Sequence, residues 1–189
     1  MEIEDIYRDL PNLETPRLLL RKLTTEDTPG MFNYASNEEV AKYVTWDAHK
    51  TLKDTETFVN FVLNQYKAHK VSPWAIEEKE TGTFIGTIDF VWWKPVHNMA
   101  EIGYVISPDY WGKGITTEAA KAIIQFGFEQ MDLVRIQARC LVENIASQRV
   151  MEKAGMSYEG THRKSMLLKG KHYDLKMYAI VKEDFATIK

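Results

Sequence analysis

The feature that most constrains the fold of this chain is a change in the spacing of its apolar residues near residue 70. Before it, residues 52–69 carry apolar side chains at helical spacing, which predicts an amphipathic helix. After it, apolar and polar residues alternate in three segments that turn residues separate, at 74–78, 84–93 and 100–107. Consecutive strands joined by short turns predict an antiparallel sheet.

Further elements are predicted on both sides of these strands. In chain order they are a strand at 17–23, two short helices within 25–43, a helix at 114–131, a strand at 135–142, a helix at 144–154 and a hairpin within 158–181. This order predicts an α+β fold in which helices flank a mixed, mostly antiparallel central sheet. We expect a single domain over residues 1–189, with its core at roughly 13–182.

Charge and cysteine content restrict the partners and the compartment. The formal net charge is -3, so no global positive field would attract nucleic acid or an anionic membrane. Cys140 is the only cysteine, which excludes an intramolecular disulfide and fits a reducing compartment. No secretory signal and no membrane-spanning apolar run is evident. We therefore expect a cytoplasmic protein that binds neither nucleic acid nor membrane.

A glycine-containing turn lies between the third of these strands and the next helix. Gly112 and Gly114 flank Lys113, and the predicted helix begins directly afterwards. Glycines let successive N–H groups point inward, and a helix N-terminus adds unpaired N–H groups and the positive end of its dipole. Together these groups form a pocket for a pyrophosphate, with Lys113 as a countercharge. A tight turn without a ligand is at least as compatible with the two glycines alone.

Two familiar phosphate-binding loops are excluded by the spacing around these glycines. A P-loop requires Lys followed by Ser or Thr after its second glycine, whereas Ile115 follows Gly114. A dinucleotide-binding fingerprint requires a third glycine at the position that Thr117 occupies. The loop therefore belongs to another class.

Short motifs accompany this loop in a fixed order along the chain. They are LETPRL at 13–18, EIGY at 101–104, YWGKG at 110–114, TEA at 117–119, Asn144 with Ser147, EKAG at 152–155, EG at 159–160, Gly170, and YD at 173–174. In this order they resemble the GNAT superfamily of N-acetyltransferases, within it the branch of the RimJ and RimL protein N-terminal acetyltransferases. Trp111 and Thr116 depart from the general loop of the superfamily, which has a polar and a small residue at these positions.

The resemblance implies an N-acetyltransferase whose acetyl donor is acetyl-CoA. The donor-binding residues that it implies are Ile106, Ser107, Trp111, Gly112, Lys113, Gly114, Ile115, Thr116, Asn144 and Ser147. The strand that ends at Ile106 and Ser107 would splay from its neighbour, so that its free backbone groups pair with the pantetheine amides as an added strand would. No metal is expected, because the five histidines and the single cysteine lack metal-ligand spacing.

Ser147 and Glu101 are the candidates for catalytic roles. The resemblance implies that the Ser147 hydroxyl stabilises or protonates the leaving sulfur, while Asn144 holds the pantetheine, caps its helix, or does both. Glu101 shares a strand face with Gly103. It either holds a water that accepts a proton from the amine, or is a partly exposed carboxylate paired with a basic neighbour. Cys140 alternates with apolar residues and is interpreted as part of the core.

The acceptor amine is left open by the sequence. An α-amine with a pKa of ~7.8 is roughly one-third neutral at pH 7.5, whereas a lysine is neutral in about one molecule per thousand. Because no strong base is evident, we favour a protein N-terminal α-amine that attacks directly in a ternary complex. A small amine such as an antibiotic or polyamine, or a non-catalytic coenzyme A-binding module, is the alternative, and a homodimer is also open. Trp46 and Asp47 form an aromatic–acidic pair suited to a cationic amine.

Overall fold

The computed structural model describes residues 1–187. The strands are β1 (Leu13–Glu14), β2 (Leu18–Arg21), β3 (Trp74–Glu78), β4 (Thr83–Lys94), β5 (Met99–Ile106), β6 (Arg135–Leu141), β7 (Ser157–Leu168) and β8 (Lys171–Val181). The helices are α1 (Ile3–Tyr7), α2 (Thr28–Ala35), α3 (Glu38–Ala41), α4 (Leu52–Lys67), α5 (Ile115–Gln130), α6 (Ile145–Lys153) and α7 (Lys182–Thr187). Of the helices in this part of the chain, none is long and apolar enough to cross a bilayer.

The strands form one sheet in the order β1-β2-β3-β4-β5-β6-β8-β7. Each neighbouring pair is antiparallel except β5 and β6, which run parallel. One apolar cluster joins α5 and α6 to one face of this sheet, and a second joins α2, α3 and α4 to the other. The predicted α+β fold, with a mixed and mostly antiparallel sheet between helices, is therefore confirmed.

Most element boundaries lie within two residues of those predicted, because the apolar period is a local signal. Helix α4 begins at Leu52 as expected, where Thr51 and Asp54 form a reciprocal capping box. The hairpin of β7 and β8 turns at Lys169 and Gly170, both with positive φ. The short elements α1, β1 and α7 were not predicted, since two to six residues are too few to establish a period.

The parallel pair β5 and β6 stays together only at its start. The pairing runs from Met99 with Arg135 to Glu101 with Gln137. Within residues 1–187 the two strands do not pair beyond this point, although β5 continues beside β4 and β6 continues beside β8. Residues 102–106 of β5 therefore diverge from residues 138–141 of β6. We call this gap in the sheet the fork; it is the splay that was predicted.

Candidate functional site

The loop between β5 and α5 has the backbone geometry of an anion site. Gly112 and Gly114 have φ values of 73° and 75°, in the left-handed region that residues with a side chain rarely adopt. The first helical hydrogen bond of α5 runs from the Glu118 N–H to the Gly114 carbonyl. The N–H groups of Ile115 and Thr116 therefore have no acceptor inside the helix and point out of its N-terminus. A Cβ placed on Gly112 would have no heavy atom of residues 1–187 within 4 Å, so the loop leaves room for a ligand.

Two side chains of the loop complete this arrangement. Lys113 is exposed, and its ammonium lies 5.2 Å from the ring centroid of Tyr110. The indole N–H of Trp111 donates to the Ile106 carbonyl at 3.0 Å, which ties the loop to the end of β5. A positive charge and a row of N–H donors thus lie directly at the open end of the fork.

A carboxylate in the first turn of α5 anchors the loop to the turn between β1 and β2. Glu118 accepts a hydrogen bond from the Thr15 hydroxyl at 2.6 Å and forms an ion pair with Arg17 at 2.7 Å. Arg17 also donates to the Lys113 carbonyl at 3.0 Å. Burial opposes ionisation of Glu118, but the hydrogen bonds from Thr15 and Arg17 hold its pKa below the ordinary value. The motifs at 13–18 and 117–119 are visible in the sequence, but their contact cannot be predicted from it, because about 100 residues separate them.

The ladder between β4 and β5 decides which backbone groups of β5 face the fork. The Ser107 N–H donates to the Ile85 carbonyl at 2.8 Å, on the β4 side. Because hydrogen bonding alternates along an antiparallel strand, Tyr104 and Ile106 direct their backbone groups the other way, toward β6. The Ser107 carbonyl accepts from the Tyr110 N–H at 3.0 Å. The expectation that Ser107 offers free backbone groups is therefore wrong, whereas the N–H of Ile106 and both groups of Tyr104 face the fork.

Two hydroxyls lie on the α6 face of the fork. The Tyr104 and Ser147 hydroxyl oxygens are 2.9 Å apart, and burial raises the pKa of Tyr104 far above its ordinary value, so this phenol stays protonated. Asn144 is the N-cap of α6, and its Oδ1 accepts from the Ser147 N–H at 3.1 Å. Its side chain thus fulfils the capping role considered from the sequence. Cys140 is buried beside this pair, and burial raises the pKa of its thiol to about 11.

Glu101 lies on the opposite face of β5 and is only 3% exposed. Its Oε1 lies 2.9 Å from the Arg139 Nε, and its Oε2 accepts from the Gln137 amide at 2.8 Å. The expectation of partial exposure is wrong, and the pairing with a basic neighbour is correct. The parallel pairing of β5 with β6 places Arg139 and Gln137 on the same sheet face as Glu101. The Glu101 carboxylate therefore links the two strands at the point where they begin to diverge.

In residues 1–187 no cluster of three or more His, Cys, Asp or Glu side chains could hold a metal ion.

The segment with Trp46 and Asp47 lies against the β7–β8 hairpin on the Glu101 side of the fork. The Lys169 ammonium donates to the Ala41 carbonyl at 2.9 Å and lies 3.8 Å from the exposed Asp47 carboxylate. Tyr43 packs in the same cluster as Leu141, which belongs to the diverging part of β6. These contacts make the segment one wall of that side of the fork. A role of Trp46 and Asp47 in binding an amine stays a prediction.

A family model described as an acetyltransferase (GNAT) domain matches residues 17–157. The chain is 35% identical to the uncharacterized N-acetyltransferase YoaA of Bacillus subtilis, over 91% of this chain and 97% of that protein. It is 28% identical to the spermidine N(1)-acetyltransferase of Escherichia coli, over 81% of this chain and 80% of that enzyme.

Solved structures share this architecture. A GNAT-family acetyltransferase from Bacillus anthracis superposes with a TM-score of 0.82 at 34% identity, over 92% of this chain and 99% of that one. A complex of the ribosomal-protein α-N-acetyltransferase RimL with coenzyme A superposes with a TM-score of 0.80 at 20% identity, over 90% of this chain and 98% of that one. At this lower identity the likeness concerns the fold alone.

Proposed function

This chain belongs to the GNAT family and is an acetyl-CoA-dependent N-acetyltransferase, and we propose that a protein N-terminal α-amine is its acceptor. The amine attacks the acetyl donor directly in a ternary complex. The observation that supports direct attack on bound acetyl-CoA is the fork, which opens at the loop between β5 and α5 and has unpaired backbone groups along β5 and a hydroxyl pair beside them. Cys140 is buried with a raised pKa, which favours direct attack over an acetyl-cysteine intermediate.

The residues present fit acetyl-CoA. The open cradle at Gly112, the first N–H groups of α5 and the Lys113 ammonium suit a pyrophosphate. The Ile106 N–H and both backbone groups of Tyr104 suit the two amides of a pantetheine arm, which would bind as a strand adds to a sheet edge. We assign donor binding to these groups together with Trp111, Gly114, Ile115, Thr116 and Ser147.

The hydroxyl pair of Tyr104 and Ser147 suits the departing sulfur. When the Tyr104 hydroxyl donates to the Ser147 oxygen, the Ser147 hydroxyl can donate its own proton to another acceptor, such as the sulfur of the donor. A thiol has a pKa of ~8.5, so a thiolate leaves readily once one donor stabilises it. The Asn144 cap holds the Ser147 backbone in place while this happens. Asn144 therefore contributes by orienting the first turn of α6.

The choice of an α-amine follows from the contacts of Glu101. Glu101 is committed to Arg139 and Gln137 and does not provide a free base. An amine that is already partly neutral near pH 7 is then the acceptor that needs the least help. The likeness to RimL, an α-N-acetyltransferase by its name, is compatible with this choice. The similarity to a spermidine acetyltransferase keeps a polyamine as the second candidate.

We expect an acceptor screen to favour an α-amine by about tenfold or more in kcat/KM at pH 7, since far less of a lysine is neutral there. The matched acceptors are two peptides of one sequence. One has a free N-terminus and no lysine, and the other has a blocked N-terminus and a single lysine. Spermidine completes the set, and the acetylated products are counted by mass spectrometry. A preference for spermidine or the lysine peptide would contradict the α-amine proposal. Binding of acetyl-CoA without any acetylated product would indicate a non-catalytic module.

A second experiment concerns the anchor of the loop. We expect Glu118→Gln to weaken acetyl-CoA binding about 3- to 30-fold, ~0.7–2 kcal/mol, because charge-assisted hydrogen bonds hold the first turn of α5 against the turn between β1 and β2 and a neutral amide keeps only part of them. Calorimetric titration measures the change. Glu80→Gln, in the exposed turn between β3 and β4, is the control and should bind as the native chain does. Native affinity in a folded Glu118→Gln protein would show that the loop does not depend on this anchor.

A further inference from the structure

One carboxyl group near the fork, that of Asp89, has no role in the acetyl transfer proposed for this chain. Asp89 lies in the middle of β4 and is partly buried. Among residues 1–187 it has no hydrogen-bond or ion-pair partner, whereas the buried carboxylates of Asp27 and Glu101 each have an arginine. Buried charged groups in proteins are paired as a rule, because an unpaired one loses its hydration without compensation. A partner from outside the chain would explain the exception.

The position of this carboxyl is set by the glycine opposite it. Asp89 pairs with Gly103 in the antiparallel ladder of β4 and β5. A Cβ on Gly103 would lie 3.2 Å from the Asp89 Oδ1 and 2.6 Å from a methyl group of Val91. The carboxyl therefore leans over the backbone of β5, two residues beyond Glu101, where the fork begins. Val91 is 50% exposed, so the carboxyl adjoins surface that solvent reaches.

Asp89 and the hydroxyl pair of Tyr104 and Ser147 lie on opposite faces of the sheet at the fork. Tyr104 projects toward α6 and contacts Ser147, while Val105 packs in the cluster that contains α4. Gly103 shares the face of Val105, because successive residues of a strand alternate. A thioester held by Ser147 from one side of the fork would thus meet an amine that arrives from the other side, next to Asp89.

The electrostatic surroundings leave Asp89 able to exchange a proton near neutrality. Burial raises the pKa of Asp89 to about 7. From the helices packed around it come Tyr7 of α1 and Tyr66 of α4, and burial raises the pKa of both, so they stay uncharged. On the same sheet face, the charge of Glu101 is balanced by Arg139. A base with a pKa near the working pH is the most effective kind.

We propose that Asp89 binds the ammonium group of the acceptor and removes its proton, so that it is the catalytic base of this enzyme. The inference rests on the acetyltransferase function proposed above. Asp89 takes one proton from the ammonium and releases it to solvent. The nitrogen then bonds to the acetyl carbonyl carbon, and the C–S bond breaks with its electron pair on sulfur. The nitrogen then loses its second proton, which Asp89 accepts and passes to solvent. The Ser147–Tyr104 pair donates one proton to the sulfur and takes one proton from solvent in its place.

This assignment also deepens the choice of acceptor. An α-ammonium has a pKa of ~7.8, close to that of Asp89, so the transfer is nearly balanced. A lysine ammonium, with a pKa of ~10.4, would give up its proton to the same carboxyl about 3 pKa units uphill. The chemistry of Asp89 therefore suits an α-amine better than a lysine.

The test is Asp89→Asn, which keeps the shape and removes the ionisation. We expect kcat/KM at pH 7 to fall ~10²- to 10³-fold while acetyl-CoA affinity stays within about twofold. The pH dependence of kcat/KM in the native chain should contain a titration near pH 7 in addition to that of the acceptor amine, whereas the variant should follow the titration of the acceptor amine alone. The control is Asp132→Asn. Asp132 is exposed, has a φ of 53° and pairs with Lys182, before the start of β6 and away from the fork. Its kcat/KM and pH dependence should match those of the native chain.

A stability measurement separates catalysis from structure. Unfolded, Asp89 ionises near its ordinary pKa of 3.8; folded, it does so near 7, so the native state holds an extra proton between these values. The contribution of Asp89 to native stability should therefore fall as pH rises through this window, and Asp89→Asn should melt at least as high as the native chain at pH 8. A melting transition lost at pH 8, or native kcat/KM and pH dependence in the variant, would overturn the inference. If the native chain acetylates no amine, the proposed function fails, and this inference fails with it.

Discussion

Replacing Ser147 by alanine is expected to lower kcat by ~10²- to 10⁴-fold, the range for a positioned proton donor, while acetyl-CoA affinity stays within about twofold. The donor matters mainly as negative charge develops on sulfur, so its loss affects the transition state more than the bound donor. The Asn144 cap uses the backbone N–H of Ser147, which the substitution leaves in place, so α6 should keep its start. Single-turnover kinetics with acetyl-CoA and the best acceptor measures the chemical step.

Tyr104→Phe provides the matched comparison, because it removes the partner hydroxyl 2.9 Å from the Ser147 oxygen. If the two hydroxyls act as one relay, the double variant should lose little more activity than Ser147→Ala alone. Ser157→Ala, at the exposed start of β7, is the control and should be as active as the native chain. An unchanged rate of the chemical step in Ser147→Ala would show that this serine has only a structural role in the first turn of α6.

The second large effect is expected at the loop between β5 and α5, which we propose binds the phosphates of the donor. Gly112→Val should weaken acetyl-CoA binding about 30- to 1000-fold, ~2–4 kcal/mol, because the new side chain fills the cradle and turns the N–H donors away. Part of any effect at this position is backbone strain, since a φ of 73° is unfavourable for valine, at a cost of ~1–3 kcal/mol. Calorimetric titration and thermal unfolding on the same samples measure binding and stability separately.

Gly82 is a close control for this strain. Its φ is 67°, and a Cβ on it would likewise have no heavy atom of residues 1–187 within 4 Å. It lies in the turn between β3 and β4, so Gly82→Val should lose similar stability and bind acetyl-CoA as the native chain does. Gly114 is a less clean site, because Arg17 lies 3.7 Å from its Cβ position. Native affinity in a folded Gly112→Val protein would contradict the assignment of the loop to phosphate.

The sequence by itself determined the features that depend on neighbours along the chain. The alternation of apolar residues located β3, β4 and β5, since it reports only which side chains share a face. The left-handed turns at Gly112 and Gly114 followed from local backbone sterics and the helix start after them. The cap at Asn144 is equally local, because it spans one helical turn. For this reason the fold class and the conformation of the glycine loop before α5 could be predicted without coordinates.

The tertiary structure alone decided which polar groups are free. Glu101 was a candidate base until the parallel pairing of β5 and β6 brought Arg139 and Gln137 to its oxygens. Ser107 appeared as free as Ile106 until the register with β4 directed its N–H to Ile85. In the sequence Asp89 is one acidic residue in a strand, and no local pattern distinguishes it. Its lack of a partner within residues 1–187 depends on strand register, on the fork and on the helices that bury part of it, none of which is encoded within a few residues of it.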